Sequence, residues 1–479
     1  MSVDIVFAAI PYIDTPEPVM APGYLKAIAE KAGFKAMAMD LNVDFLNRIK
    51  NHPKKQELID FSFAEAPLPG IEQEIAEEIN LEVAKILSCN PKRVGLSLLT
   101  YHSQRFAKWI AVRLKQVAPE VEIVIGGSGI KNFIADHKNL YCEELKNLGI
   151  IDHYIMGDGE FAVVEYLKGN FDYIGIDTEK WVQPTNLAQF PTPDYDDYEW
   201  DAYENKALPL VDSQGCVRAC EFCDIIEHWT KYTYKPAEHI FNEMLELSRR
   251  HKIYRFSMRD SLINGNMKEF KKWVTLVADY NDSQPPETRF EWAGFAIVRE
   301  ATHHPEEIWD KIGRSRGTML LGVESVIQRV RWELGKKFTN EAIDYHLDMA
   351  RKHKVKLVLM MMCALPGETL EDYEFIKQWF KDRVGYARNP VHRISLSLAA
   401  IVPGTEWYRT AQEKSIELGD YPVIWMNKNL GITEEARLKH WKEVRELLAP
   451  FNSVGNRDPK SRQKATLTVL KTDMDSIHI

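Results

Sequence analysis

Half of the chain's six cysteines fall within eight positions, in S-Q-G-C-V-R-A-C-E-F-C-D-I (213–225), as Cys216, Cys220 and Cys223. Thiols gathered so tightly point to metal binding or redox chemistry when the compartment is reducing, rather than to a disulfide framework. A structural zinc site and a fully ligated iron–sulfur cube both want four protein ligands, and His228 or the distant Cys363 could supply a fourth. Three thiolates alone suit a 4Fe-4S cube whose last iron is open to a small molecule. A zinc knuckle, or a redox pair of Cys220 and Cys223, are the other readings. Cys89, Cys142 and Cys363 stand alone and read as small buried residues.

The elements that must position this loop follow from the hydrophobic pattern. Over residues 1–170, short apolar runs alternate with helical periodicity: V-D-I-V-F-A-A-I (3–10), K-A-M-A-M-D (35–40), V-G-L-S-L (94–98), V-E-I-V-I-G-G (121–127) and I-D-H-Y-I-M-G-D-G-E (151–160) as strands. One intervening helix shows Phe106, Trp109, Ile110, Leu114 and Val117 on a single stripe. The expectation is an α/β fold, a doubly wound, Rossmann-like (flavodoxin-like) parallel sheet whose ligand crevice lies beyond the strand carboxyl ends. Residues 171–206, rich in Pro, Asp and Tyr, read as a linker. From 207 to 405 six further strand candidates alternate with amphipathic helices, which predicts a partial (β/α)6 barrel with the cysteine loop after its first strand. Residues 406–479 read as a small, mostly helical region, with Leu438, Trp441, Val444 and Leu448 on one stripe, and a polar tail from about 453.

The C-x3-C-x2-C spacing resembles the signature of the radical S-adenosylmethionine (SAM) superfamily, with Phe222 at the aromatic position beside the last cysteine. Y-K-P-A-E-H-I-F-N-E-M (234–244), R-F-S-M-R-D-S-L-I-N-G-N (255–266), L-G-V-E-S (321–325), L-P-G-E-T (365–369) and V-P-G-T-E-W-Y (402–408) are similar to segments of one branch of it. That branch joins the barrel to an N-terminal cobalamin-binding domain. G-Y-L-K-A-I-A-E-K-A-G-F (23–34), V-G-L-S-L-L-T (94–100), V-I-G-G-S-G (124–129), M-G-D-G-E (156–160) and F-P-T-P-D-Y (190–195) are similar to its pattern, so the resemblance spans about residues 3 to 410.

The resemblance implies a 4Fe-4S cluster on Cys216, Cys220 and Cys223, SAM chelated to the open iron, and cobalamin in the first domain. For SAM it implies Phe222, Asp260 and Ser261 after the second barrel strand, and Glu324 and Ser325 after the fourth. One carboxylate can accept two hydrogen bonds from a ribose diol, which suits Glu324. The competing readings are a helix N-cap for Asp260 and a salt bridge to Arg299 or Arg331 for Glu324. For cobalamin it implies Ser97, Thr100, Gly126, Gly127, Gly129 and Gly157, where glycine admits a bulky ligand or simply makes a tight turn. The sequence departs from one cobalamin pattern: it has no D-x-H-x-x-G, because Asp136-His137 and Asp152-His153 are adjacent pairs. Tyr101, His102 and Gln104 are the loop residues that could face cobalt instead.

The implied activity is a radical C-methyltransferase acting on an unactivated carbon of a small molecule, with a radical cyclase or rearrangement enzyme as the alternative and a non-SAM iron–sulfur or zinc protein as the bland one. An external one-electron reductant of the flavodoxin or ferredoxin type would serve the cluster. With 61 basic against 70 acidic side chains, the net charge of −9 offers no broad field for nucleic acid. No apolar run reaches the roughly 18 residues of a membrane span, and the start lacks a basic signal region, so a cytoplasmic enzyme is expected.

Overall fold

The computed structural model describes residues 2–13, 17–62, 70–131, 140–384, 391–419 and 422–452. Asp136, His137 and the tail from 453 lie outside them. The described residues divide into two compact units, one of residues up to Thr185 with Gln189–Ala207, the other from Leu208 onward with Asn186–Ala188.

In the first unit, strands β1 (Ile5–Ala9), β2 (Ala36–Asp40), β3 (Arg93–Ser97), β4 (Glu122–Gly126) and β5 (His153–Ile155) form one parallel sheet in the order β2-β1-β3-β4-β5. Every residue of β1 is buried, as a central strand covered by helices on both faces requires. This is the flavodoxin-like order, and the chain reverses direction between β1 and β3, where ligands enter such sheets. The expected stripe of helix Gln104–Val117 is only partly right. Phe106, Ile110 and Leu114 are buried, with Ala107 and Ala111 beside them, whereas Trp109 and Val117 face solvent. The buried arc is centred on the small alanines, which let the helix approach the sheet.

The segment expected as a linker instead packs on this unit. Tyr195, Tyr198 and Tyr203 are buried; the Tyr203 hydroxyl donates to the Asp40 carboxylate at 3.0 Å and that of Tyr198 to the Val19 carbonyl at 2.6 Å. Lys26 is held between Asp194 (3.2 Å) and Asp197 (2.7 Å). A Pro/Asp-rich composition marks irregular backbone, but tyrosine can still bury its ring when a polar partner receives its hydroxyl.

The second unit is a six-stranded, wholly parallel sheet in which chain order equals spatial order: β6 (Leu208–Leu210), β9 (Arg255–Met258), β10 (Glu291–Ala296), β11 (Gly317–Glu324), β12 (Lys356–Cys363) and β13 (Val391–Leu398). Between β6 and β9, the two-residue strands β7 (Ser213–Gln214) and β8 (Thr233–Tyr234) pair antiparallel and close the base of the cysteine loop. Burial alternates strictly along β11: Gly317, Met319, Leu321 and Val323 are fully buried, Thr318, Leu320, Gly322 and Glu324 half-buried. The first set lies under the crossover helices, and the second, which contains Glu324, occupies the other face. The C-terminal region adds a hairpin, β14 (Ile416–Leu418) with β15 (Trp425–Asn427), and the helix Glu434–Asn452, on which Trp441, Val444 and Leu448 are buried and Leu438 half-buried.

Candidate active site at the strand carboxyl ends

Cys216, Cys220 and Cys223 lie in the loop between β7 and β8. Cys220 is buried and the other two are half-buried. The loop turns tightly, with the Cys223 N–H donating to the Cys220 carbonyl at 3.0 Å and the Arg218 N–H donating to Cys216 Sγ at 3.4 Å. Burial raises the Cys220 thiol, while the charges of Lys336 and Arg218 pull it back. Cys223 is pushed up to about 12 by burial and then by Asp224, Cys220 and Cys216. Three neighbouring thiols, one buried and two half-buried, that repel one another as thiolates match a cationic iron–sulfur core, which offsets most of their charge at once. Among the described residues, no group of three or more His, Cys, Asp or Glu side chains is drawn together tightly enough to hold a single metal ion.

The alternative fourth ligands have other neighbours. Cys363 is in the core beside Glu368 and Arg437, and His228 is paired with Asp224 at 3.7 Å.

The loop is braced from three sides. Asp260 is fully buried after β9, and its Oδ1 accepts the N–H groups of Asp212 and Ser213, both at 2.6 Å, just ahead of the cysteines. It faces Asp212, the member of this acid pair that keeps its proton. The helix N-cap suggested as the other reading of Asp260 belongs to Asn266. On the second side, the Glu221 N–H donates to the Leu334 carbonyl at 3.2 Å. On the third, the Trp407 N–H donates to the Glu221 carbonyl at 2.9 Å, and the Trp407 ring lies 5.6 Å from that of Phe222. Ser261 is half-buried next to Asp260.

Glu324 ends β11 with φ +64°, a left-handed conformation rare for glutamate, just past a register shift at Gly322. Its Oε1 accepts from Lys336 Nζ at 2.7 Å, with both side chains largely buried. The partner is therefore Lys336, not Arg299 or Arg331. Arg299 donates to the carbonyls of Asn264 and Gly265, and Arg331 to those of Ser325 and Phe338. Lys336 also sits 5.7 Å over the Phe222 ring, so Phe222, Glu324, Lys336 and Cys220 form one neighbourhood. Sequence reasoning missed Lys336 because nothing in G-K-K-F marks one lysine over the next; only the fold carries it back to the end of β11.

Ser325 is buried and donates to Glu368 Oε1 at 2.9 Å, while Glu368 Oε2 accepts the Leu365 N–H at 2.9 Å. This clip ties the loops after β11 and β12. Burial raises Glu368 from 4.5 to about 7. The folded chain thus holds a proton there that the unfolded chain has released, and stability falls as pH rises from 4.5 through 7. Urea unfolding at pH 5 and pH 8 should show that Glu368→Gln flattens this slope by about 3 kcal/mol relative to the parent. An unchanged slope would place the loss elsewhere.

In the first unit the candidate residues separate into two groups. A Cβ on Gly127 (φ +99°) would meet the Leu98 carbonyl at 2.4 Å, and one on Gly129 the Thr100 carbonyl at 2.3 Å, so these two glycines let the loops after β3 and β4 pack backbone on backbone. Gly157 lies under the Trp181 ring, 2.1 Å from where a Cβ would stand. The second group has room for a side-chain atom or lacks a partner. At Gly126 a Cβ would make only ordinary contact with the Ile155 carbonyl, at 3.4 Å. Ser97 is half-buried, and Thr100 Oγ1 is buried with no hydrogen-bond partner among the described residues. An orphaned buried hydroxyl at the ligand end of a doubly wound sheet fits a bound molecule. Gln104 is committed to the Gly129 and Lys131 carbonyls at 2.8 Å each. His102, its ring 3.9 Å from Tyr101, is lowered to about 4 by burial and stays neutral. After the cysteines, Tyr232 packs against Gly265 and donates to the Leu262 carbonyl at 3.1 Å, while Tyr234 is exposed.

Residues 210–380 match the family described as Radical SAM superfamily. No curated protein sequence matches the chain. Among solved structures, the fold is similar to that of the radical SAM methyltransferase TsrM from Kitasatospora setae with tryptophan substrate and a SAM analog bound, at TM-score 0.62 and 15% identity over 95% of this chain and 89% of that one. The same protein with cobalamin and a 4Fe-4S cluster bound gives TM-score 0.59 at 14% identity, over 92% and 85%. It is also similar to the cobalamin-dependent SAM radical enzyme OxsB with aqua-cobalamin and SAM bound, at TM-score 0.60 and 15% identity, covering 93% of this chain and 61% of that one. No helix among the described residues is long and apolar enough to cross a membrane. A six-stranded parallel half-barrel, a cysteine triplet after its first strand and the family match identify residues 210–380 as a radical SAM domain, in a chain whose fold is similar to those of the cobalamin-dependent radical SAM enzymes TsrM and OxsB.

Proposed function

We propose that the chain is a cobalamin-dependent radical SAM enzyme that transfers a methyl group to an unactivated carbon of a small molecule. The observation that carries this reading is the joining of a triply thiol-bearing loop on a half-barrel to a flavodoxin-like unit with an unpartnered buried hydroxyl at its ligand end. A reduced 4Fe-4S cluster supplies the electron that splits SAM to an adenosyl radical, and cobalamin supplies a metal able to carry a methyl group.

The chain's own residues do the positioning. Cys216, Cys220 and Cys223 hold the cluster as thiolates, with Lys336 and Arg218 offsetting their charge. Glu324, fixed through Oε1 by Lys336, keeps Oε2 for the ribose hydroxyls or ammonium of SAM. Asp260 and Ser325 act on loop position through the bonds described above, and Phe222 and Ser261 border the same space. Ser97, Thr100 and Gly126 would hold cobalamin, on a floor shaped by Gly127, Gly129 and Gly157. Electrons come from an external flavodoxin- or ferredoxin-type donor.

Protein reconstituted anaerobically with iron, sulfide and cobalamin, then reduced in the presence of SAM and a cell-derived small-molecule fraction, should form both 5'-deoxyadenosine and S-adenosylhomocysteine, read by mass spectrometry. 5'-Deoxyadenosine alone would favour rearrangement over methyl transfer. Failure to retain cobalamin absorbance would remove it from the scheme.

A further inference from the structure

A cavity of about 220 Å³ opens beside the cysteine loop, lined by Arg218, Arg299, Glu300, His303, Lys337 and Phe338 among others. It is too small for a whole substrate, for which 300 Å³ is about the lower bound, but ample for one end group. Its charge is unusual for a chain of net −9. Three permanent cations line it against one carboxylate, and neither Arg218, Arg299 nor Lys337 forms an ion pair among the described residues.

The guanidinium groups are held but not satisfied. Arg218 Nη2 donates to the Val298 carbonyl at 3.3 Å. Arg299 uses Nε and Nη2 on the carbonyls of Asn264 and Gly265, at 2.6 to 3.1 Å, which leaves Nη1. Burial and the adjacent Arg218 charge both push the Arg299 guanidinium down, so the two cations are near neighbours. The Phe338 ring, 5.7 Å from Arg218, closes one side. Glu300 is the one opposing charge, and its Oε1 accepts the Thr339 N–H at 3.4 Å, at the start of the helix Asn340–His353. Fixed guanidinium donors facing a small cavity without a carboxylate partner are complementary to a planar or tetrahedral oxyanion.

We infer that this cavity is an anion-binding subsite, which receives the carboxylate or phosphate end of a small ligand beside the cysteine loop. The inference rests on the radical SAM reading for what that ligand is: SAM, through its own carboxylate, or an acidic second substrate. The cation site itself does not depend on that reading.

Titration of the reconstituted full-length protein with inorganic phosphate, followed by calorimetry, should show saturable binding that weakens about tenfold in Arg299→Met and in Lys337→Glu. Lys337 is exposed and makes no ion pair, so Lys337→Glu decides the matter if Arg299→Met loses its hold on the 264–265 backbone. Phosphate released by SAM would assign the subsite to SAM's carboxylate; phosphate retained in saturating SAM would assign it to the second substrate. Affinity unchanged within about twofold in both variants would overturn the inference, even if the cluster spectrum shifted, since the cations would then only offset cluster charge. Iron content and 5'-deoxyadenosine are measured on the same samples. Loss of either with phosphate binding intact counts against the radical reading alone.

Discussion

Cys220→Ala should lose SAM cleavage down to the enzyme-free background and bind much less iron than the parent, while keeping its far-ultraviolet circular dichroism. Cys220 is the most buried of the three thiols, and its backbone is the pivot of the loop through the bond from Cys223. The loop's position does not depend on that sulfur. It is set by Asp260 at one end, by Leu334 and Trp407 on Glu221 in the middle, and by the β7–β8 ribbon at its base. Removing one small sulfur from a site so braced costs at most about 1–2 kcal/mol of packing, against which complete loss of chemistry is easily separated. The same substitution at Cys89, which lies in the other unit on the half-exposed end of a helix, should leave both iron and turnover unchanged. Full activity in Cys220→Ala would remove the cluster from this loop.

Lys336→Met should weaken SAM binding about 10- to 100-fold, the usual cost of losing one charge-assisted hydrogen bond near a ligand, and destabilise the second unit by about 3 kcal/mol. The second effect arises because Lys336 and Glu324 are both largely buried, so removing one leaves the other uncompensated. Glu324 is also held in a left-handed backbone conformation that costs about 1–2 kcal/mol, and the lysine is what holds its carboxylate in place there. The double variant Glu324→Gln, Lys336→Met separates the two roles. Without a buried charge it should recover most of the stability, and with neither group to meet SAM it should recover none of the binding. Recovery of SAM turnover in the double variant would make the pair structural only. Calorimetric SAM binding and chemical denaturation, measured on the same three proteins, check both halves.

The architecture was legible because it is written in periodicity. Five buried apolar runs spaced by helices gave the 2-1-3-4-5 sheet, and six more apolar runs, spaced by amphipathic helices, gave the half-barrel. The cysteine triplet was legible because thiols so close in sequence are close in space under any fold. What could not be read are pairings set by tertiary approach. Glu324 had two arginines as candidate partners, and the fold delivered Lys336 instead. The tyrosines of 195–203 looked like a linker because a strap held by hydroxyl bonds to a carboxylate and a backbone carbonyl has no period to detect. Glycines at 127 and 129 suggested room for a ligand, yet the space beside them is filled by the backbone of the loop after β3. Glycine in a sequence marks a close approach without saying what approaches. Trp109 and Val117 erred for a related reason: the helical stripe was drawn through large residues, while the alanines on the same helix made the contact.

The claim on which the rest depends is that three thiols, and no fourth protein ligand, leave one iron free for SAM. Electron paramagnetic resonance of the dithionite-reduced, reconstituted protein, recorded with and without SAM, tests it most directly. The account predicts a single 4Fe-4S signal whose g-values shift when SAM is added and which is absent in Cys220→Ala. A signal indifferent to SAM would mean that the fourth position is already filled, and would contradict it.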